Sequence, residues 1–174
     1  MPTPMFIVRG APGAGKSTFS RVLQHKLPNG ALVFETDNFF VDSIDKRTYH
    51  FNPQLLGIAH SWNQGEVIRA CRDCPDVPVI VANTFCQKFE LKPYFDIAQV
   101  FGRKIYVFTL HTEHDNVHGV PDEKVKQMRL GMHPFRMDTW LIEGYPVAYA
   151  KDVYSDEEAA ELAQIVHLKY FQRA

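Results

Sequence analysis

The chain is short of cysteine, of long apolar runs and of net charge. Its three cysteines are Cys71, Cys74 and Cys86. Cys71 and Cys74 form a C-x-x-C, but no second pair completes a zinc site, so the thiols are expected to be reduced, as in a cytoplasm. No apolar run approaches the ~20 residues of a membrane span, so no membrane partner is expected. The opening MPTPMFIVRG has neither the charged start nor the apolar stretch of a secretory signal. With 19 basic against 20 acidic residues the formal net charge is -1. That excludes a global basic field, and any contact with nucleic acid would be local. There is no internal repeat, low-complexity tract or dividing linker. The 174 residues, 45% apolar and 22% charged, suit one globular domain over 1–174 with a substantial core.

Short apolar runs alternate with longer helical patterns. Met5–Arg9, Ala31–Glu35, Val77–Ala82 and Lys104–Leu110 are rich in Val, Ile, Phe and Tyr and read as strands buried on both faces, with a fifth around Thr139–Ile142. Helices are expected over Ser17–Lys26, Pro53–Arg72, Glu90–Phe101 and Pro121–Leu130. Asn52 stands as N-cap before Pro53, and Gly102 and Gly131 stand as stops. A last helix, about 155–172, opens on the capping box Ser155…Glu158, with Ala159, Leu162, Ala163 and Val166 on one face. The alternation predicts an α/β fold, a parallel sheet of about five strands covered on both sides.

The chemistry concentrates in RGAPGAGKST. Gly10, Gly15, Lys16 and Ser17 satisfy GxxxxGK[ST], directly after one predicted strand and opening a helix. In such a loop, Gly10, Ala11, Pro12, Gly13, Ala14 and Gly15 turn successive N–H groups inward around anionic oxygens, and the helix that continues through Thr18 adds its partial positive charge. Lys16 reaches the β- and γ-phosphates and Ser17 offers its hydroxyl to Mg²⁺. This loop is expected to bind a nucleotide.

Parallel sheets bind ligands beyond the carboxyl ends of their strands. ETDNFF with Asp37, ANTF with Asn83 and Thr84, and HTEHDNVHG all follow strands, so they should face the same edge. Asp37 is read as the carboxylate that takes the proton of an acceptor hydroxyl, against its use as a turn cap. No carboxylate follows the third strand. Either Ser17, phosphates and water hold Mg²⁺, or the site is degraded. His111, His114 and His118 are read as ordinary loop histidines rather than metal ligands, and Trp62 as a packing aromatic, with Asn63 and Gln64 available to an acceptor groove.

In order, GAPGAGKST, ETDNFF, AHSWNQ, NTF, ELKPY and NVHGVPDEKVKQM resemble the polynucleotide-kinase-like branch of phosphate-loop kinases, over about residues 5–133. That branch includes phage 5′-hydroxyl polynucleotide kinases and kinase-like domains of some eukaryotic ubiquitin-ligase-binding proteins. The resemblance implies a P-loop NTPase fold of the adenylate-kinase kind with a small helical lid, about 111–133. It also implies ATP and Mg²⁺ as cofactors and a nucleic-acid or nucleotide hydroxyl as acceptor. Carried over, Lys16 and Ser17 hold phosphates and metal, Asp37 is the general base, and Asn83 and Thr84 face the acceptor. Three positions depart from the pattern. Ala82-Asn83-Thr84-Phe85 stands for DNTN, Asp115-Asn116 for RN, and Phe40 where an arginine often follows the acidic motif. Arg129 or Arg136 is expected to replace the missing lid charge, whereas Arg103 should sit at the opposite edge. A kinase of hydroxymethylated bases, a small-molecule kinase and a catalytically weak nucleotide-binding module remain as alternatives.

Overall fold

The computed structural model describes residues 2–27, 29–41, 44–45, 48–116 and 118–171, with side chains as far as Val166. Five strands, β1 (Met5–Arg9), β2 (Leu32–Phe34), β3 (Val79–Asn83), β4 (Ile105–Leu110) and β5 (Val147–Val153), form one sheet in the order β2-β3-β1-β4-β5. Every pairing is parallel. β1 lies at the centre because its MFIVR run is buried throughout, and only an interior strand hides both faces.

Alternate residues of β1 feed two cores. Phe6 and Val8 pack with Phe19 and Leu23 of α1 (Lys16–Lys26) and Leu162 and Val166 of α6 (Asp156–Phe171). Met5 and Ile7 pack with Val67 of α2 (Leu56–Asp73), Leu91 and Phe95 of α3 (Lys88–Val100) and Trp140 of α5 (Met137–Ile142). The result is a helix-sheet-helix sandwich, each large buried side chain contributing ~1.5–3 kcal/mol. The remaining helix, α4 (Asp122–Leu130), falls in the segment expected to form a lid. None of the described helices is long and apolar enough to cross a membrane.

The ends of the elements follow from local chemistry. Asn52 Oδ1 accepts from the Gln54 amide at 3.0 Å, a cap for the 3-10 turn Pro53–Leu55 that leads into α2. Ser155 Oγ accepts from the Glu158 amide at 3.1 Å, while the Glu158 carboxylate reaches one residue further back, to the Tyr154 amide. α3 begins earlier than expected, because Gln87 and Glu90 form a reciprocal capping box.

One strand assignment is corrected. Residues 139–142 belong to helix α5, not to a strand, and the fifth strand is Val147–Val153. Trp140 packs on Phe95 from α5, and Gly144, at φ 91°, turns the chain before Tyr145. β5 is an edge strand with exposed Ala148, Lys151 and Asp152, so it lacks the continuous apolar run that marks its neighbours. Arg103 is buried at the amino ends of the strands, donating to the carbonyl oxygens of Thr3, Cys74 and Val77.

Candidate functional site

Gly10 to Gly15 link β1 to α1, and Gly15 serves as N-cap with no side-chain capping bond. The first amides of α1 are thus left to a ligand rather than to a cap. Gly13 has φ 80°, and a Cβ there would collide with the carbonyl oxygen of His114. Glycine is required at this position on both counts. The close approach exists because the segment after β4 buttresses the loop. The His114 amide donates to Gly13 O at 2.7 Å, and Thr112 Oγ1 donates to Ala14 O at 2.6 Å.

Lys16 Nζ donates to the carbonyl oxygens of Gly10 and Ala11 at 2.9 and 3.0 Å. Burial lowers its ammonium to about 8, against the nearby charges of Asp37 and Glu35, which raise it. Ser17 Oγ donates to Glu35 Oε1 at 3.0 Å. The Glu35 carboxyl is itself pushed up, first by burial, with the Ser17 bond pulling the other way. A hydroxyl and a carboxylate side by side at the helix start are hard oxygen donors of the kind Mg²⁺ takes, with water and phosphate completing its shell.

Asp37 lies in a 3-10 turn, Thr36–Phe40, at the end of β2. The Tyr49 hydroxyl donates to its Oδ1 at 3.2 Å, and His118 Nε2 stands 3.6 Å from Oδ2. Tyr49 also lies against the His118 ring at 4.5 Å, and its phenol is pushed up by burial and by Asp37. Around this turn the aromatics gather. Phe40 contacts Tyr49 and Phe51, Phe39 contacts Trp62, and Phe51 is half exposed.

The other expected site residues are distributed as follows. Asn83 Oδ1 accepts from the Thr36 amide at 2.9 Å and so fixes the turn carrying Asp37. Thr84 O accepts from the Gly10 amide at 3.3 Å. Asn63 is fully buried and donates to the Tyr94 hydroxyl at 2.8 Å. Arg129 lines a polar recess of about 700 Å³ with Glu113, His114, Asp115, Asn116 and Asp122. Its Nη1 is 3.4 Å from Glu113 Oε1. Arg136 lines a separate hollow with Arg9 and Trp140. His111 and His114 pair singly with Asp152 and Asp156, and no metal-holding cluster of His, Cys, Asp and Glu occurs among the described residues.

Sequence reading passed over Glu35, Tyr49, Thr112 and the partnership of His118 with Asp37. Only Glu35 carried a signal, as the first acidic residue of ETDNFF.

A family model described as an AAA domain matches residues 5–127. Over 137 residues the chain is 33% identical to NEDD4-binding protein 2 of Homo sapiens, a match covering 71% of this chain and 7% of that protein. The chain thus spans a small part of that relative's length. A gluconokinase from Sinorhizobium meliloti has the same fold at a TM-score of 0.57 and 17% identity, with 98% of each chain covered. APS kinase from Mycobacterium tuberculosis gives 0.55 at 13% identity, with 97% of this chain and 98% of that one covered. On a P-loop kinase-like fold whose phosphate loop is intact, the chain belongs to the AAA domain family.

Proposed function

We propose that this protein transfers the γ-phosphoryl group of ATP to an alcohol, and that the alcohol is a hydroxyl of a nucleotide or nucleic acid. The observation that carries the reading is the meeting of Lys16, Ser17 and Glu35 at the start of α1 with Asp37 one turn beyond β2. The loop amides and Lys16 bind the β- and γ-phosphates. Ser17 and Glu35 hold Mg²⁺, which neutralises phosphate charge when bound. Asp37 accepts the proton of the incoming hydroxyl as its oxygen approaches the γ-phosphorus in line. Tyr49 and His118 hold that carboxylate in place. Arg129, on α4 beside His114, supplies positive charge to the transferring group.

The ring set of Phe39, Tyr49, Phe51 and Trp62 beside Asp37 supports a flat acceptor body such as a base, since stacking on aromatics is tolerant of sequence. A second reading, a small-molecule alcohol, is favoured by the near-zero net charge and by kinship of fold with a gluconokinase and with a shikimate kinase.

Incubation with γ-labelled ATP against 5′-hydroxyl DNA, 5′-hydroxyl RNA, hydroxymethylated duplex, nucleosides, gluconate and shikimate decides between them. Label in an oligonucleotide or nucleoside supports the first reading. Label only in gluconate or shikimate selects the second. No label in any acceptor, with ATP bound, leaves a nucleotide-binding module.

A further inference from the structure

On the face of the sheet opposite α1, a hollow of about 250 Å³ is lined by Arg9, Lys88, Leu91, His133, Pro134, Phe135, Arg136, Thr139 and Trp140. Its walls combine three permanent cations with a flat apolar floor, and no carboxylate is among the lining residues. Lys88 lies over the Trp140 ring and is paired outward to Glu143. Arg136 is exposed and has no ion pair among the described residues.

Arg9 is the unusual member. Its side chain is 1% exposed. Nε and Nη2 donate to Phe85 O at 3.0 and 2.6 Å, and Nη2 also to His133 O at 2.9 Å. Nη1 has no acceptor among the described residues. No carboxylate forms a direct ion pair with this guanidinium among the described residues; its hydrogen bonds fall on carbonyl oxygens, and Asp152 and Glu90 favour its charge only from a distance. A buried charge without a direct partner is expensive, and the unused donor is the kind of exception that calls for an explanation. The carbonyl it grips belongs to Phe85, held at φ 50°, a left-handed conformation that a bulky residue rarely adopts. The chain accepts strain and desolvation together at this hollow, and nothing in the phosphoryl-transfer scheme uses them.

We propose that the hollow binds an anionic group, a phosphate or carboxylate, carried on a flat apolar body. The anion is held by Arg136 and Lys88 within the field of Arg9, and the body lies against Phe135, with Trp140 and Leu91 behind it in the floor. Arginine presents a planar fork suited to either oxyanion, and Phe135, only partly buried, supplies a flat face for the ring. The hollow lies on the sheet face away from α1, and the proposal does not depend on the kinase reading.

The chain has two tryptophans, so Trp62→Phe leaves Trp140, in the hollow, as the sole tryptophan, selectively excited at the red edge of the protein absorption. In that background, with Mg·ADP saturating and ionic strength constant, the protein is titrated with phenyl phosphate, benzoate, inorganic phosphate and benzyl alcohol. Phenyl phosphate or benzoate should change Trp140 emission saturably. Inorganic phosphate should bind more weakly and benzyl alcohol not at all over the same range. Arg136→Ala, an exposed change that leaves the core intact, and Lys88→Ala should each weaken the aryl anion by about tenfold, the loss expected for a charged hydrogen bond. The proposal is overturned by a flat titration with both aryl anions, by equal binding of benzyl alcohol, or by affinities unchanged in the Arg136→Ala, Lys88→Ala double variant.

Discussion

Ser17 Oγ donates to Glu35 Oε1 across 3.0 Å, joining the first turn of α1 to the end of β2. The third strand ends without a carboxylate, in Ala82 and Asn83. The acidic oxygen missing there is present instead on β2's side of the loop. It lies against the hydroxyl that a phosphate loop offers to its metal.

Glu35→Gln keeps the size and the acceptor for Ser17 but removes the charge. In the proposed scheme the Mg²⁺ concentration giving half-maximal phosphoryl transfer should rise about 10- to 100-fold, the usual cost of changing a group that supports a metal. Metal-free nucleotide affinity should be much less affected. Mg²⁺ titrations of transfer and of ADP binding measure the two. An unchanged Mg²⁺ requirement would return Glu35 to a purely structural role.

Lys16 gives a pH prediction with a definite sign. Burial lowers its ammonium to about 8 in the free protein, and phosphates bound beside it favour the charged form. ATP binding above pH 8 should therefore take up a proton, and affinity should fall by up to about tenfold per pH unit there. The same shift means that the unfolded chain holds more protons than the folded one between about pH 8 and 10.5. Lys16 thus adds stability as pH rises through that window. Calorimetry in buffers of differing ionisation enthalpy at pH 8.5 measures the uptake. Lys16→Met should abolish transfer and flatten the pH dependence of whatever binding remains. Wild-type turnover in that variant would contradict the assignment of the loop.

What the sequence displays and what it hides divide along physical lines. The phosphate loop was legible because its donors are consecutive, and a strand on one side and a helix on the other fix its geometry. β1, β3 and β4 were legible as continuous apolar runs buried on both faces. β5 was not, because an edge strand leaves Lys151 and Asp152 in water and breaks the pattern. The apolar run Trp140-Leu141-Ile142, short enough for a strand, drew the reading instead. Asp37 stood out from its place after a strand, yet Tyr49 and His118 reach it from separate loops, and no local spacing announces such a meeting. Asn83 was placed at the right edge, but its oxygen serves the Thr36 amide, a use visible only in three dimensions.

Arg129 tests the proposed lid charge. It lies near Glu113 at 3.4 Å and lines the recess that also contains His114, whose amide holds the phosphate loop. Arg129→Ala should cut single-turnover transfer by roughly 10³-fold or more if the guanidinium meets the transferring phosphoryl group. Arg136→Ala, in the hollow lined by Arg9 and Trp140, should change it by only a few-fold. The reverse ranking would move the lid charge to Arg136 and remove Arg129 from the scheme.

Asp37 carries the last prediction. In the proposed scheme the loop amides, Lys16 and the Ser17–Glu35 pair already serve the nucleotide phosphates, so a second carboxylate close by would repel them unless it acts on the acceptor. Tyr49 and His118 hold it from two sides, at 3.2 and 3.6 Å, which suits a group that must meet an incoming hydroxyl in a fixed orientation. Asp37→Asn preserves shape and removes basicity. Turnover should fall by ~10²–10⁴-fold, the usual contribution of a positioned general base, with affinity for a non-hydrolysable ATP analogue nearly unchanged. Tyr49→Phe removes one orienting bond while leaving the base, so its loss should be smaller and of the same kind. Calorimetric binding of the analogue, set beside single-turnover rates, separates chemistry from nucleotide affinity in both variants. Lost analogue binding with normal chemistry at saturation would reassign Asp37 to the metal. An unaltered rate in Asp37→Asn would leave it a cap for the turn that follows β2.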